Sequence, residues 1–158
     1  MAEIATNTQL ALQTRNPSLL TLRSSRPWPG LPDRLAVASL DGLPGRALWL
    51  GPEEWLVIDD VKPSTTLPAW QESAYTEDWL LDVSEAYAVW SLSGPEWRTR
   101  LSGFVPHDLD ADHFPAGHVI RSRLHSVPVI VEARPGDELW LLVPHSYARY
   151  VEELLLKS

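Results

Sequence analysis

The sequence predicts an α+β domain in which a mostly antiparallel sheet is covered on one side by two or three short helices. Three observations lead there. Short apolar runs bounded by turn residues recur along the chain, the spacing of strands that pair with their neighbours. Helical periodicity with matching start and stop residues shows only in short segments. The 158 residues show no internal repeat and no linker, and a chain of this length forms about one domain that buries roughly 70% of its unfolded surface.

Met1 to Gln9 hold Glu3 and several polar groups without an apolar run, so they lack the charged and hydrophobic regions of a signal peptide. Residues 1–8 are expected as a flexible tail, followed by a single domain over 9–158. Leu10 to Leu12 and Leu19 to Arg23 suit short strands, the second closed by Ser24-Ser25 ahead of the proline-rich stretch Arg26 to Pro32. Leu35 to Leu40 fits a strand or a short helix equally. Arg46 to Leu50 and Trp55 to Asp59 flank Gly51-Pro52-Glu53-Glu54, whose proline favours a turn, and together they predict a hairpin. A loop around Pro63 to Pro68 leads into a short helix over Leu67 to Ser73.

Trp79 to Leu92 is nearly continuous in apolar residues, interrupted at Asp82, Ser84 and Glu85. Ser93-Gly94-Pro95-Glu96 follows the capping-box pattern, so a helix is expected from Gly94 to Ser102, with Trp97 and Leu101 inward and Gly103 as its stop. Val119 to Leu124, Val127 to Ala133 and Leu139 to Val143 suit strands, the last two joined by a turn at Pro135-Gly136-Asp137. A closing helix starts near His145-Ser146, with Tyr147, Val151, Leu154 and Leu155 on one stripe and Lys157 at its negative end.

The formal charge of -8, from 21 acidic and 13 basic residues without a basic cluster, disfavours nucleic acid and anionic membrane surfaces. No stretch reaches the ~18 apolar residues a membrane span requires. With no cysteine, disulfides, thiolate nucleophiles and cysteine-held metals are excluded, in keeping with a reducing compartment. The eight tryptophans exceed what a domain of this size is expected to hide, which is four or five, so the remainder are candidate anchors for a partner protein.

The densest polar set is His107-Asp108-Leu109-Asp110-Ala111-Asp112-His113, with His118 and His125 beyond. A calcium loop would need Gly where His113 stands and Glu where Val119 stands. Zinc would call for a short helical histidine spacing that is missing, so the segment suits a solvated acidic loop. Ser84, Ser91, Ser93 and Ser126 lie outside any G-x-S-x-G elbow. The eight glycines form neither G-x-G-x-x-G nor G-K-[ST], so the usual cradles for dinucleotides and nucleoside triphosphates are missing. Glu53-Glu54 and Glu152-Glu153 are adjacent, and adjacent side chains do not converge on one substrate atom. No catalytic, cofactor-binding or metal-binding residue is therefore assigned.

Ala47-Leu48-Trp49-Leu50-Gly51-Pro52-Glu53-Glu54-Trp55-Leu56, Asp82-Val83-Ser84, Tyr87-Ala88-Val89 and Leu92-Ser93-Gly94-Pro95 resemble the gamma subunit of heterotetrameric sarcosine oxidase. The resemblance continues through Asp108-Leu109, Phe114-Pro115-Ala116-Gly117, Arg121-Ser122-Arg123-Leu124 and Leu141 to Ala148, and spans Leu10 to Leu155. The tryptophan-bearing segment is specific to this group, whereas the Asp-Val-Ser and Gly-Pro pieces are shared with aminomethyltransferase-like folate-binding domains. The resemblance implies that fold and a structural, non-catalytic role, with the chain alone inactive. The complex it implies oxidatively demethylates sarcosine to glycine and passes the one-carbon unit to tetrahydrofolate. Its beta subunit would hold the flavins FAD and FMN, its alpha subunit NAD and tetrahydrofolate, and its delta subunit zinc, in a bacterial cytoplasm.

The folate fold is implied to place an acidic residue against the pterin, in the strand after a Gly-rich hairpin. Here the hairpin is shortened to Leu124-His125-Ser126-Val127-Pro128, and no Asp or Glu occurs between Asp112 and Glu132, so the chain is not expected to bind tetrahydrofolate. A second departure is Arg26 to Asp41, short and proline-rich where the family carries a longer helical segment. The alternatives are the same role in a related N-methyl amine oxidase or dehydrogenase complex, or a stand-alone folate-binding protein. Trp49, Glu53, Glu54 and Trp55, around the hairpin turn, are the candidate partner-interface residues.

Overall fold

The computed structural model describes residues 3–6, 11–26, 28–60 and 65–157. Among these described residues, eleven strands and three α-helices follow in chain order. The first half holds β1 (Glu3–Thr6), β2 (Ala11–Arg15), β3 (Ser18–Arg23), β4 (Val37–Ala38), β5 (Arg46–Gly51), β6 (Glu54–Asp59) and α1 (Thr66–Ser73). The second holds β7 (Trp79–Asp82), β8 (Tyr87–Ser93), α2 (Glu96–Ser102), β9 (Val119–Leu124), β10 (Val127–Arg134), β11 (Glu138–Pro144) and α3 (Ala148–Lys157). The fold is therefore α+β and sheet-rich, with every strand pairing antiparallel. The strands form two sheets where one was expected, and the chain divides into two compact units, Met1–Arg15 with Glu85–Ser158 and Asn16–Ser84.

In the first unit a six-stranded sheet runs β1-β2-β8-β11-β10-β9. Alternate residues of its strands, among them Leu12, Trp90, Leu92, Val129, Val131 and Leu141, share one core with Trp97 and Leu101 of α2 and Val151 and Leu155 of α3. Burying such a side chain contributes about 1.5–3 kcal/mol, which fixes both short helices on the same face. Glu3–Thr6 pair with β2 at the sheet edge, within the segment expected as a free tail. Residues 1, 2 and 7–10, with the rest of that tail and Leu10 of the first expected strand, lie outside the described residues.

The expected capping box is not used. Ser93 is held in the ladder opposite both Glu138 and Ala11, so it cannot turn to cap a helix. Gly94 makes the turn at φ 114°, a conformation costly to other residues, and Pro95 takes the N-cap position without a side-chain bond. Trp97 and Leu101 nevertheless point inward as expected. At the C-terminus a 3₁₀ turn over His145–Tyr147 precedes α3 and leaves Tyr147 exposed, off the buried stripe.

The second unit is a five-stranded sheet in the order β4-β5-β6-β3-β7. Leu20, Leu22, Ala47, Trp55 and Val57 pack with Trp28, Leu40 and the fully buried Trp70 of α1. Pro68 sits in the first turn of α1, where its missing N–H would have no helical partner in any case. Leu35 to Leu40 resolves as a strand, the two-residue β4 paired with β5. The apolar run Trp79 to Leu92 breaks into β7 and β8, one in each sheet. Pro27 of the proline-rich loop and residues 61–64, including Pro63 of the second expected loop, lie outside the described residues. Among the described residues no helix is long and apolar enough to cross a membrane.

Candidate interaction surface

The β5–β6 hairpin carries the four residues singled out in the sequence. Its register places Gly51 opposite Glu54, so Pro52-Glu53 forms a two-residue turn, with Glu53 at φ 65°. Proline fixes the first corner near −65°, and a positive φ at the second is the type II arrangement, usually given to Gly or Asn. The Ser24 amide bonds the Glu53 carbonyl at 3.1 Å and anchors the turn to the neighbouring strand. The Glu53 side chain is exposed, whereas Glu54 is half-buried and lies 3.7 Å from Arg23.

Trp49 and Trp55 face each other across this hairpin and point to the same side of the sheet. Trp55 is buried, and its indole N–H donates to the Pro32 carbonyl at 2.8 Å. It is a core residue, with no surface to offer a partner, which corrects its assignment as an interface anchor. Trp49 is half-buried against the same core. Six of the eight tryptophans are buried, more than the four or five expected, because the two units have separate cores with room for Trp28, Trp55 and Trp70 in one and Trp90 and Trp97 in the other.

The exposed tryptophan is Trp79, at 63% of its accessible surface, with Leu81 beside it at 52%. Both lie on β7, two residues apart and so on one face. The sequence carried no signal for this exposure, because Trp79, Leu80 and Leu81 are consecutive apolar residues at the head of a longer apolar run.

Several of the groups considered for chemistry are engaged in structure. The Ser84 hydroxyl accepts from the Leu19 amide at 2.9 Å, and Ser91, nearly inaccessible, accepts from Arg15 Nε at 2.9 Å. In the acidic loop, Asp108 and Asp110 accept from the amides two residues on, and the His113 imidazole lies 2.8 Å from Asp108. Leu109 and Phe114 are buried beneath the loop, and Arg98 Nη1 donates to their carbonyls at 2.8 and 2.7 Å. Among the described residues no three His, Cys, Asp or Glu side chains converge as a metal site. His125 forms the β9–β10 turn with Ser126 at φ 53° and sets its ring 5.2 Å from Phe104. A cavity of about 620 Å³ in the second unit is lined by Trp28, Leu40, Leu43 and Tyr75, with Asp41 as its one carboxylate, so it offers shape without an acid–base pair. Below it, burial raises the Asp78 carboxyl, but bonds from Ser24, the Tyr75 amide and the Trp28 indole, with the Arg26 charge, outweigh burial and hold it below its ordinary value.

Solved structures supply the comparison for this arrangement. A chain of the heterotetrameric sarcosine oxidase from Corynebacterium sp. U-96, in complex with pyrrole 2-carboxylate, superposes with a TM-score of 0.84 and 25% identity over 98% of this chain and 86% of the other. Sarcosine oxidase subunit gamma of Corynebacterium sp. strain P-1 is 31% identical over 121 residues, and that of strain U-96 is 27% identical over 117. The chain's homologues are sarcosine oxidase gamma subunits. The aligned segment is 74% of this chain and spans 57% of the length of those gamma subunits. The glycine cleavage system aminomethyltransferase T from Bartonella henselae superposes with a TM-score of 0.69 at 13% identity, over 94% of this chain and 45% of the other, and so shares the fold. No family model matches the chain.

Proposed function

We propose that this gamma-subunit homologue is a non-catalytic accessory subunit of a heterotetrameric sarcosine oxidase. The observation that carries the reading is the superposition on that oxidase over 98% of the chain. In this proposal the companions are alpha, beta and delta subunits, the setting is the cytoplasm, and the assembly demethylates sarcosine to glycine with transfer of the one-carbon unit to tetrahydrofolate. FAD, FMN, NAD, tetrahydrofolate and zinc belong to the companions and none to this chain. The engagement of Ser84, Ser91 and the acidic loop in structural bonds supports the absence of chemistry here.

A pterin site also fits this chain poorly. The β9–β10 connection is a two-residue turn, and Glu132, the buried carboxylate of β10, lies 3.7 Å from Arg134 on the same strand. A pterin would leave its buried donors without partners, at about 1–3 kcal/mol each. Glu53, at the exposed hairpin tip, and Glu54 beside it remain proposed interface residues.

Co-expression with the flavoprotein, folate-domain and small zinc-binding subunits of a heterotetrameric sarcosine oxidase tests the proposal. The chain is expected to co-purify with them, and the purified chain to be inactive on sarcosine and silent in calorimetric titration with tetrahydrofolate. Turnover by the chain alone, or its failure to join any companion, would refute the accessory role.

A further inference from the structure

The cavity of about 620 Å³ in the second unit is framed by two tight turns. The Leu31 amide closes Trp28-Pro29-Gly30-Leu31 on the Trp28 carbonyl at 3.1 Å, and the Leu43 amide closes Leu40-Asp41-Gly42-Leu43 on the Leu40 carbonyl at 3.2 Å. Gly30 and Gly42 hold the third position of each turn at φ 89° and 78°, the positive value that a type II turn asks of glycine. Ser73, the last residue of α1, and Tyr75 complete the wall.

These walls are set before any ligand arrives. Trp28 is buried, stacked on Trp70 and held through its indole N–H by Asp78, whose carboxylate also takes the Tyr75 amide. The Trp28 and Tyr75 rings stand 6.4 Å apart at 76° and form an aromatic corner. The Arg26 guanidinium lies over the Tyr75 ring at 4.6 Å, so this corner already holds one cation from outside the described lining. A preformed, mostly apolar cavity of this size, with few polar groups, suits a small ligand.

Three features favour positive charge inside it. Aromatic faces are negative and attract cations. Asp41 is exposed, lines the cavity and makes no hydrogen bond or ion pair among the described residues. Helix α1 ends at the cavity with no basic residue in its last turn, so the partial negative charge of its C-terminal carbonyls is not offset by the helix itself. An anion would be repelled by Asp41, and a neutral molecule would leave that carboxylate unused.

We propose that this cavity binds a small alkylated ammonium ion, with its alkyl groups against Trp28 and Tyr75 and its charge toward Asp41. A bare ammonium is compact and strongly hydrated, whereas alkyl groups let the ion leave water for an aromatic surface.

The test titrates the isotope-labelled full chain with tetramethylammonium, ammonium and neutral tert-butanol at constant ionic strength, followed by NMR. Tetramethylammonium is expected to move the Gly30 and Gly42 amides and the Trp28 indole N–H saturably, and to bind about tenfold more tightly than either of the others. Asp41→Asn, at an exposed position, is expected to keep the parent's spectrum elsewhere and to weaken tetramethylammonium by about tenfold, with tert-butanol unaffected. Shifts that grow without saturating, equal affinity for ammonium or tert-butanol, or undiminished affinity in Asp41→Asn would overturn the site. Binding by the free chain that is lost once companion subunits are bound would assign the cavity to a companion's side chain and overturn the small-molecule ligand.

Discussion

The indole nitrogen of Trp28 donates to Oδ2 of Asp78 at 2.8 Å, and the same oxygen accepts from the Tyr75 amide at 2.8 Å. One carboxylate thus ties the proline-rich loop to the segment that leads into β7. The Trp28 ring, stacked on Trp70 at 5.6 Å, carries that tie into the core.

Because these donors hold the Asp78 carboxyl below its ordinary value, its contribution to stability is complete above the unfolded carboxyl pKa of about 3.9 and is lost as pH falls through the lower folded value. Asp78→Asn retains an accepting oxygen but not the charge. In urea unfolding the variant is expected to be less stable than the parent at pH 7, with the difference closing below about pH 4. A difference independent of pH would show that the charge of Asp78 does not matter.

Trp55 and Trp49 are expected to separate under substitution. Trp55→Ala removes a buried indole and should cost about 3–5 kcal/mol in equilibrium denaturation. Trp55→Phe keeps most of the packing but leaves the Pro32 carbonyl without the indole N–H, at about 1–3 kcal/mol. Trp49→Ala, at a half-buried position, should cost less than Trp55→Ala, and the reverse order would contradict the burial described here.

These tryptophans also show where the sequence was legible. The hairpin around Pro52 could be read because proline and its neighbours determine the turn locally, and the same holds for the β9–β10 and β10–β11 pairs. Which face of β6 is inside could not be read, because Trp55, Leu56, Val57 and Ile58 are all buried and no alternation survives. The division into two sheets was hidden for a similar reason. An apolar run records that residues are buried but not which strand they pair with, so Trp79 to Leu92 gave no sign that the chain changes sheets between Asp82 and Tyr87. Of the candidate surface, the exposed turn at Glu53 was legible from composition. Trp79 was not, since its exposure follows from β7 lying at an edge, which is a property of the assembled sheet.

Gly45 is fixed by close approach. It sits at φ 79°, and a Cβ there would meet the Ile58 carbonyl oxygen at 2.5 Å, on the backbone of the strand paired with β5. Gly45→Ala is expected to destabilise the chain by about 2 kcal/mol or more, since the left-handed conformation alone costs roughly 1–2 kcal/mol for an L-residue. Thermal unfolding would check this, and a neutral result would show that the β5 entry can shift.

The acidic loop after α2 is closed by one arginine. Arg98 Nη1 bonds the carbonyls of Leu109 and Phe114, so it closes the loop from inside while Asp108, Asp110 and Asp112 lie exposed. Hydrogen bonds from a charged donor contribute about 1.5–3 kcal/mol, and Arg98→Ala should lose about that much and speed amide exchange across 109–114. His113→Ala removes an exposed contact to Asp108, of a kind that adds little to stability, and should leave the melting temperature unchanged, as should addition of a chelator. If His113→Ala or chelation instead unfolded the loop, with zinc or calcium found by elemental analysis in the parent, the loop would be a metal site and Arg98 its accessory.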